Sequence, residues 1–194
     1  MLAQPGLAQE QAQEQEPVYV FGTTVVIPSG LKGIIYYIHS AKKLNELDKE
    51  KPRGVIYTSS LNVPPQDYKL GFPGISDRLE WFAIDYTGKF WIDRPGEYSW
   101  ELTSDDGSML FIDDKLVIDN GGLHAPVTLR GKTELTAGIH SIRVPYFQGI
   151  KYHVALVLKV AGPGQSYHVF STEEFKPPAN PETWPPPETS STPR

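Results

Sequence analysis

TSDDGSMLFIDDKLVID, residues 103–119, is the stretch on which the reading of this chain turns. Two adjacent aspartates, Asp105 and Asp106, sit between a β-rich run and a hairpin, with Gly107 directly after them. Neighbouring side chains on a regular strand point to opposite faces. In a turn the same two carboxylates can converge on one point. A hard cation such as calcium gives a reason to hold them together, because it takes oxygen ligands and offsets their repulsion. The competing reading is a structural turn whose carboxylates accept backbone N–H bonds.

Working outward, the signal is β almost throughout. MLFI and KLVI flank Asp113-Asp114, a tight hairpin turn in which Asp114 tolerates positive φ. Further strands are expected at Val18 to Ile27, Gly33 to Ile38, LEWFAIDYTGKFWI (79–92) and, after the Pro95-Gly96 turn, EYSWELT (97–103). TELTAGIHSIRVPYF (133–147) reads as two strands around Ala137-Gly138. YHVALVLKV (152–160) alternates, with Tyr152, Val154, Leu156 and Leu158 on one face, and SYHVFSTEEF (166–175) closes the series. Many short strands with regular turns predict a β-sandwich or barrel. The only helix-like piece, SAKKLNELDKEK (40–51), reads as a solvated loop or one to two helical turns.

Three segments follow from composition: a Gln/Glu-rich disordered N-terminus (1–16), an ordered β domain (17–176) and a Pro-rich extended tail (177–194) that carries Trp184. The net charge of -5 with no basic stripe argues against nucleic acid. No apolar run approaches the ~20 residues that span a bilayer. With no cysteine, disulfides, thiolate catalysis and cysteine-based zinc sites are excluded. MLAQPGLAQEQAQEQE lacks an apolar core segment and is not an intact signal peptide; LAQPGLAQ reads as the remnant of a cleaved one, or Met1 as the start of a trimmed chain.

SDDGSMLFIDDKLVIDNGGLH (104–124) resembles the PA-14 domain, the β-sandwich module named for the anthrax protective antigen. GLKGIIYYI (30–38) is similar to the family's opening strand, WFAIDYTGKFWIDRPGEYSWELTSDDGS (81–108) to its central block, and LTAGIHSIRVPYFQG (135–149) to its later hairpin. The match runs from about Val18 to Phe175 and implies an all-β, jelly-roll-like sandwich. In the sugar-binding branch of this family, known from flocculins and adhesins, the paired aspartates are joined by a cis peptide and bind calcium, which binds sugar hydroxyls. The resemblance places that metal on Asp105 and Asp106, with Gln148 as a third side-chain ligand and backbone carbonyls near Gly149 to Lys151 completing the shell. It makes Gly149, Lys151, Tyr152 and His124 the candidates for ligand contact.

Local readings qualify this. Loop 120–132 is short and has Gly121-Gly122 where the family often has an aromatic. His140 reads as a satisfied strand histidine, and Trp81, Trp91 and Trp100 as core. The chain shows no nucleophile elbow, phosphate-cradling glycine loop or HExxH, so a non-enzyme is expected. The function expected is a calcium-dependent carbohydrate-binding module of an extracytoplasmic protein, its partner a glycan or polysaccharide. The alternative is a structural or assembly subunit that docks on other extracytoplasmic proteins through the sandwich or its Pro-rich tail.

Overall fold

A computed structural model describes residues 30–40, 44–76 and 78–179. The strand expected over Val18 to Ile27, segment 1–16 and the Pro-rich tail beyond residue 179 lie outside the described residues. Within them the chain is a two-sheet antiparallel sandwich. Its strands are β1 (Leu31–Tyr37), β2 (Pro52–Thr58), β3 (Asn62–Asp67), β4 (Phe82–Ile92), β5 (Gly96–Asp105) and β6 (Ser108–Ile112). They continue with β7 (Lys115–Asn120), β8 (Val127–Leu135), β9 (Gly138–Gln148), β10 (His153–Ala161) and β11 (His168–Val169). One sheet runs β2-β1-β4-β9-β6-β7. The other runs β11-β10-β5-β8, with β3 also paired to β10.

The main core lies between the sheets, where apolar side chains at alternate strand positions interdigitate. Fully buried Trp100 meets Phe90 edge-on at 6.0 Å, and Phe170 stacks on Phe175 at 5.4 Å. Trp100 Nε1 donates to Thr133 Oγ1 at 2.9 Å, so its polar edge is satisfied across the sheet. A second, smaller core covers the outer face of the first sheet. A 3₁₀ helix at Leu44–Lys49 presses Leu44 and Leu47 onto Tyr36, Ile38, Ala83 and Phe147. That covering explains why β4 buries Phe82 through Tyr86 without alternation.

Several expectations need correction. Of the two readings of 40–51, the short helix holds, as a 3₁₀ helix over Leu44–Lys49, but it is not a solvated charge run there, because Leu44 and Leu47 are buried. β8 begins at Val127, inside what reads from sequence as a loop over 120–132, so only 121–126 is irregular. Tyr152 precedes β10, and the inward row is Val154, Leu156, Leu158 and Val160. Strand β11 is two residues long, and Trp81 lies before β4 with φ 56°. Strands β2 and β3 carry no expectation at all; β3 contains Pro64 and Pro65, which lack the N–H of a ladder donor and fit only an edge.

The turn at Asp113-Asp114 has φ of 48° and 61°, the mirror-image geometry that suits a two-residue hairpin. Asp113 also ties this hairpin to β9. Its carboxylate accepts from Ser141 N at 2.8 Å and sits 2.6 Å from His140 Nδ1, while His140 Nε2 lies 2.9 Å from Thr136 O. Burial alone would raise the Asp113 carboxyl, but the bonds from His140 and Ser141 hold it below its usual value. A carboxyl lowered on folding contributes stability above its unfolded value of about 4, lost as the pH falls through the folded value. Asp113→Asn keeps a residue that tolerates positive φ and removes the charge. The variant melts below the native protein at neutral pH, and the difference shrinks toward about pH 3 in thermal unfolding. An equal difference at both pH values contradicts the role given to the charge.

Candidate metal and ligand site

Topology assembles the site. Strands β5, β8 and β10 belong to one sheet and β6, β7 and β9 to the other. The chain therefore crosses between sheets three times at one end of the sandwich: after Asp105, over 121–126 and over 149–152. The register confirms that these ends coincide. Asp105 pairs with Ala155, Ser104 with Val127, and Ser108 with both Asn120 and Tyr146. Gly107 makes the first crossing sterically possible, because a Cβ there would meet Phe147 and lie 2.9 Å from Gly122 O.

The Asp105-Asp106 peptide is cis. The two carboxylates do different things. Asp106 accepts from His124 N at 3.1 Å and from Gly149 N at 2.7 Å, which ties both other crossings to it. That is the behaviour a structural turn requires. Asp105 is 5% exposed and Asp106 3%, yet no donor among the described residues meets the Asp105 carboxylate. Burial and the neighbouring Asp106 push the Asp105 carboxyl up to about 6. Burial raises Asp106 as well, opposed by its bonds from Gly149 and His124.

Behind the pair lies a layer of buried polar groups. Ser108 Oγ donates to Ser104 Oγ at 2.7 Å, and Asn120 Nδ2 donates to Ser104 Oγ at 2.9 Å and Val127 O at 3.2 Å. Gln148 is fully buried, its Nε2 donating to Ile150 O at 3.2 Å and His153 O at 2.9 Å. Those two carbonyls fix the amide so that Oε1 faces Tyr146 Oη at 2.8 Å. Tyr146 Oη also lies 2.7 Å from Asp105 O. One phenolic proton serves one acceptor at a time. Carboxylate, amide and carbonyl oxygens are gathered here, a donor set that suits a hard cation.

The pair opens into a cavity of about 200 Å³ lined by Leu123, His124, Ile150, Lys151, Tyr152 and His153. The structure places Asp105 and Asp106 at this cavity and ties Asp106 to the backbone of Gly149, while Gln148 lies behind it, linked to Asp105 O through the Tyr146 hydroxyl, and does not line it. Lys151 and Tyr152 line the cavity, Tyr152 being 74% exposed with φ 123°. The His124 ring is bonded to backbone, with Nδ1 2.9 Å from Ala125 O and Nε2 3.0 Å from Asn120 O, while its backbone N–H meets Asp106. Of the carbonyls expected to complete a shell, Gly149 O accepts from Trp81 N and Ile150 O from Gln148. Sequence reasoning missed the buried layer of Ser104, Ser108, Asn120 and Tyr146, and the apolar rim residues Leu123 and Ile150. The signal available was polar residues at inward positions of β-runs.

A family model described as the PA14 domain matches residues 72–173. The chain belongs to the PA14 domain family. No curated protein sequence matches it. Among solved structures, the PA14 domain here is similar to two anti-sigma factor domain-containing proteins, one of them from Clostridium clariflavum. The first has a TM-score of 0.62 at 22% identity over 78% of this chain and 49% of that one. The Clostridium protein has a TM-score of 0.61 at 21% identity over 78% and 48%. The chain spans about half the length of those proteins. It is also similar to the PA14 sugar-binding domain of an RTX adhesin, with a TM-score of 0.61 at 18% identity over 74% of this chain and 96% of that one. At these identities the likeness is one of fold.

A buried carboxyl raised on folding destabilises the ionised folded state above its folded value. With chelator present at neutral pH, Asp105→Asn therefore melts a few degrees higher than the native chain, a gain on the order of 1–2 kcal/mol. Thermal unfolding in EDTA measures it, and a lower melting temperature contradicts the view that Asp105 lacks a protein partner.

Proposed function

We propose that this PA14 domain is a calcium-dependent carbohydrate-binding module of an exported protein. The Asp105 carboxylate carries this reading: it is buried beside a second carboxylate and met by no donor among the described residues. A carboxylate so placed is stabilised when a cation meets it. Carboxylates, an amide oxygen and backbone carbonyls, in a chain without cysteine, suit calcium better than a softer metal. Asp105 and Asp106 would hold it with carbonyls of 149–151, and Gln148 Oε1, which already accepts from Tyr146 Oη at 2.8 Å, would turn its second lone pair toward it. Bound calcium supplies coordination positions at which vicinal sugar hydroxyls can replace water.

The chain's own residues do the rest. The N–H groups of His124 and Gly149 hold Asp106 in place. Tyr152, Ile150 and Leu123, exposed by 74%, 51% and 48%, give the rim apolar surface for the C–H faces of a sugar. Likeness in fold to an adhesin domain described as sugar-binding supports the ligand class. No helix among the described residues is long and apolar enough to cross a membrane. Export is part of the proposal, and the cysteine-free composition is compatible with it.

Calcium that binds the folded state alone stabilises it by mass action, by about 2.7 kcal/mol at a hundredfold excess over Kd. Millimolar calcium is therefore expected to raise the melting temperature several degrees above that in EDTA. Asp105→Asn combined with Asp106→Asn removes the shift. A native chain that melts identically in calcium and EDTA contradicts the metal, and favours the alternative of an assembly subunit.

A further inference from the structure

The 149–152 crossing is a wall between two cavities. On one side is the cavity over the aspartate pair. On the other is a larger cleft of about 510 Å³, whose lining includes Tyr68, Arg78, Trp81 and His39. Lys151 lines both. Backbone bonds hold the wall at each end: Trp81 N donates to Gly149 O and Tyr68 N to Tyr152 O, both at 3.2 Å. The cavity over the pair falls below the roughly 300 Å³ at which small-ligand pockets usually begin. The larger cleft falls within that range by itself, so a ligand anchored at the pair and longer than one sugar ring finds its room by passing Lys151 into that cleft.

The charges of the second cleft give its ligand a sign. Arg78 Nη1 donates to Ile38 O at 3.2 Å and Trp81 O at 3.0 Å, and the guanidinium lies 4.5 Å from the Tyr37 ring centroid. The side chain is therefore held in place, while among the described residues no acceptor meets its Nε or Nη2. Lys151 is exposed and has no anionic partner among the described residues. Glu80 is the one acidic side chain lining the cleft. A pre-ordered guanidinium fork beside an ammonium receives carboxylates and sulfates well, and Tyr68 and Trp81 add aromatic surface for sugar rings.

Resting on the carbohydrate reading above, we propose that the ligand is an acidic oligosaccharide. One residue lies over Asp105 and Asp106, and a neighbouring carboxylate or sulfate engages Arg78 and Lys151. The test is an array of acidic oligosaccharides, uronate-containing and sulfated, each beside its neutral counterpart of equal length, read in millimolar calcium. The native chain is expected to bind acidic members about tenfold more tightly than neutral ones, and the ratio falls as salt is raised. Lys151→Ala lowers the ratio part-way, Lys151→Ala combined with Arg78→Ala brings it close to one, and Glu80→Gln increases it. Equal binding of acidic and neutral members overturns this inference and leaves the carbohydrate reading standing. So does a preference untouched by Lys151→Ala and Glu80→Gln. Binding of no member overturns both.

Discussion

Two adjacent carboxylates buried where the chain passes from one sheet to the other are the constraint on which this end of the molecule is built. Removing an ionised carboxylate from water is costly unless hydrogen bonds or a counter-charge replace the solvent. Asp106 receives two backbone N–H bonds, one from each of the other crossings. Asp105 receives none among the described residues. The asymmetry separates a residue that organises the loops, Asp106, from one whose carboxylate is left to the cavity, Asp105, and it is this difference, more than acidity, on which the cation proposal rests.

The same constraint explains the packing around it. Gly107 is required because Phe147 and the backbone of Gly122 leave no room for a Cβ, whereas a Cβ at Gly149 would press on the tip of Leu123 and lie 3.1 Å from the Asp106 carboxylate. Phe147 belongs to the small outer core under Leu44 and Leu47, so the helix at Leu44–Lys49 supports the floor of the site from the far side of the sheet. The buried layer of Ser104, Ser108, Asn120, Tyr146 and Gln148 fills the space between the sheets with satisfied polar groups. Such a network rigidifies a site when every member has a partner.

Much of this was legible in the sequence, for reasons that differ by element. The aspartate pair and the Asp113-Asp114 turn were readable because each departs from strand chemistry over two residues. The PA14 motifs then joined Gln148 to the pair across about forty positions. Strands β2 and β3 were not readable, because Pro52, Pro64 and Pro65 mask edge strands whose pairing is set by tertiary context. Leu44 and Leu47 look solvated among lysines and glutamates, and only the sheet beneath them shows that they are buried. Tyr152 continues the alternation of β10 on paper, but the chain turns at that residue and leaves its ring at the rim. Nor does spacing reveal that three crossings meet at one end. That follows from which sheet each strand joins, a long-range choice that local pattern leaves open.

The central claim is that the unpartnered Asp105 carboxylate shares a calcium ion with Asp106. A crystal structure grown in millimolar calcium, with anomalous differences recorded, tests it most directly. The account predicts one anomalous peak within about 2.3–2.6 Å of oxygens from both carboxylates. Density for water alone between Asp105 and Asp106 at that calcium concentration would contradict it.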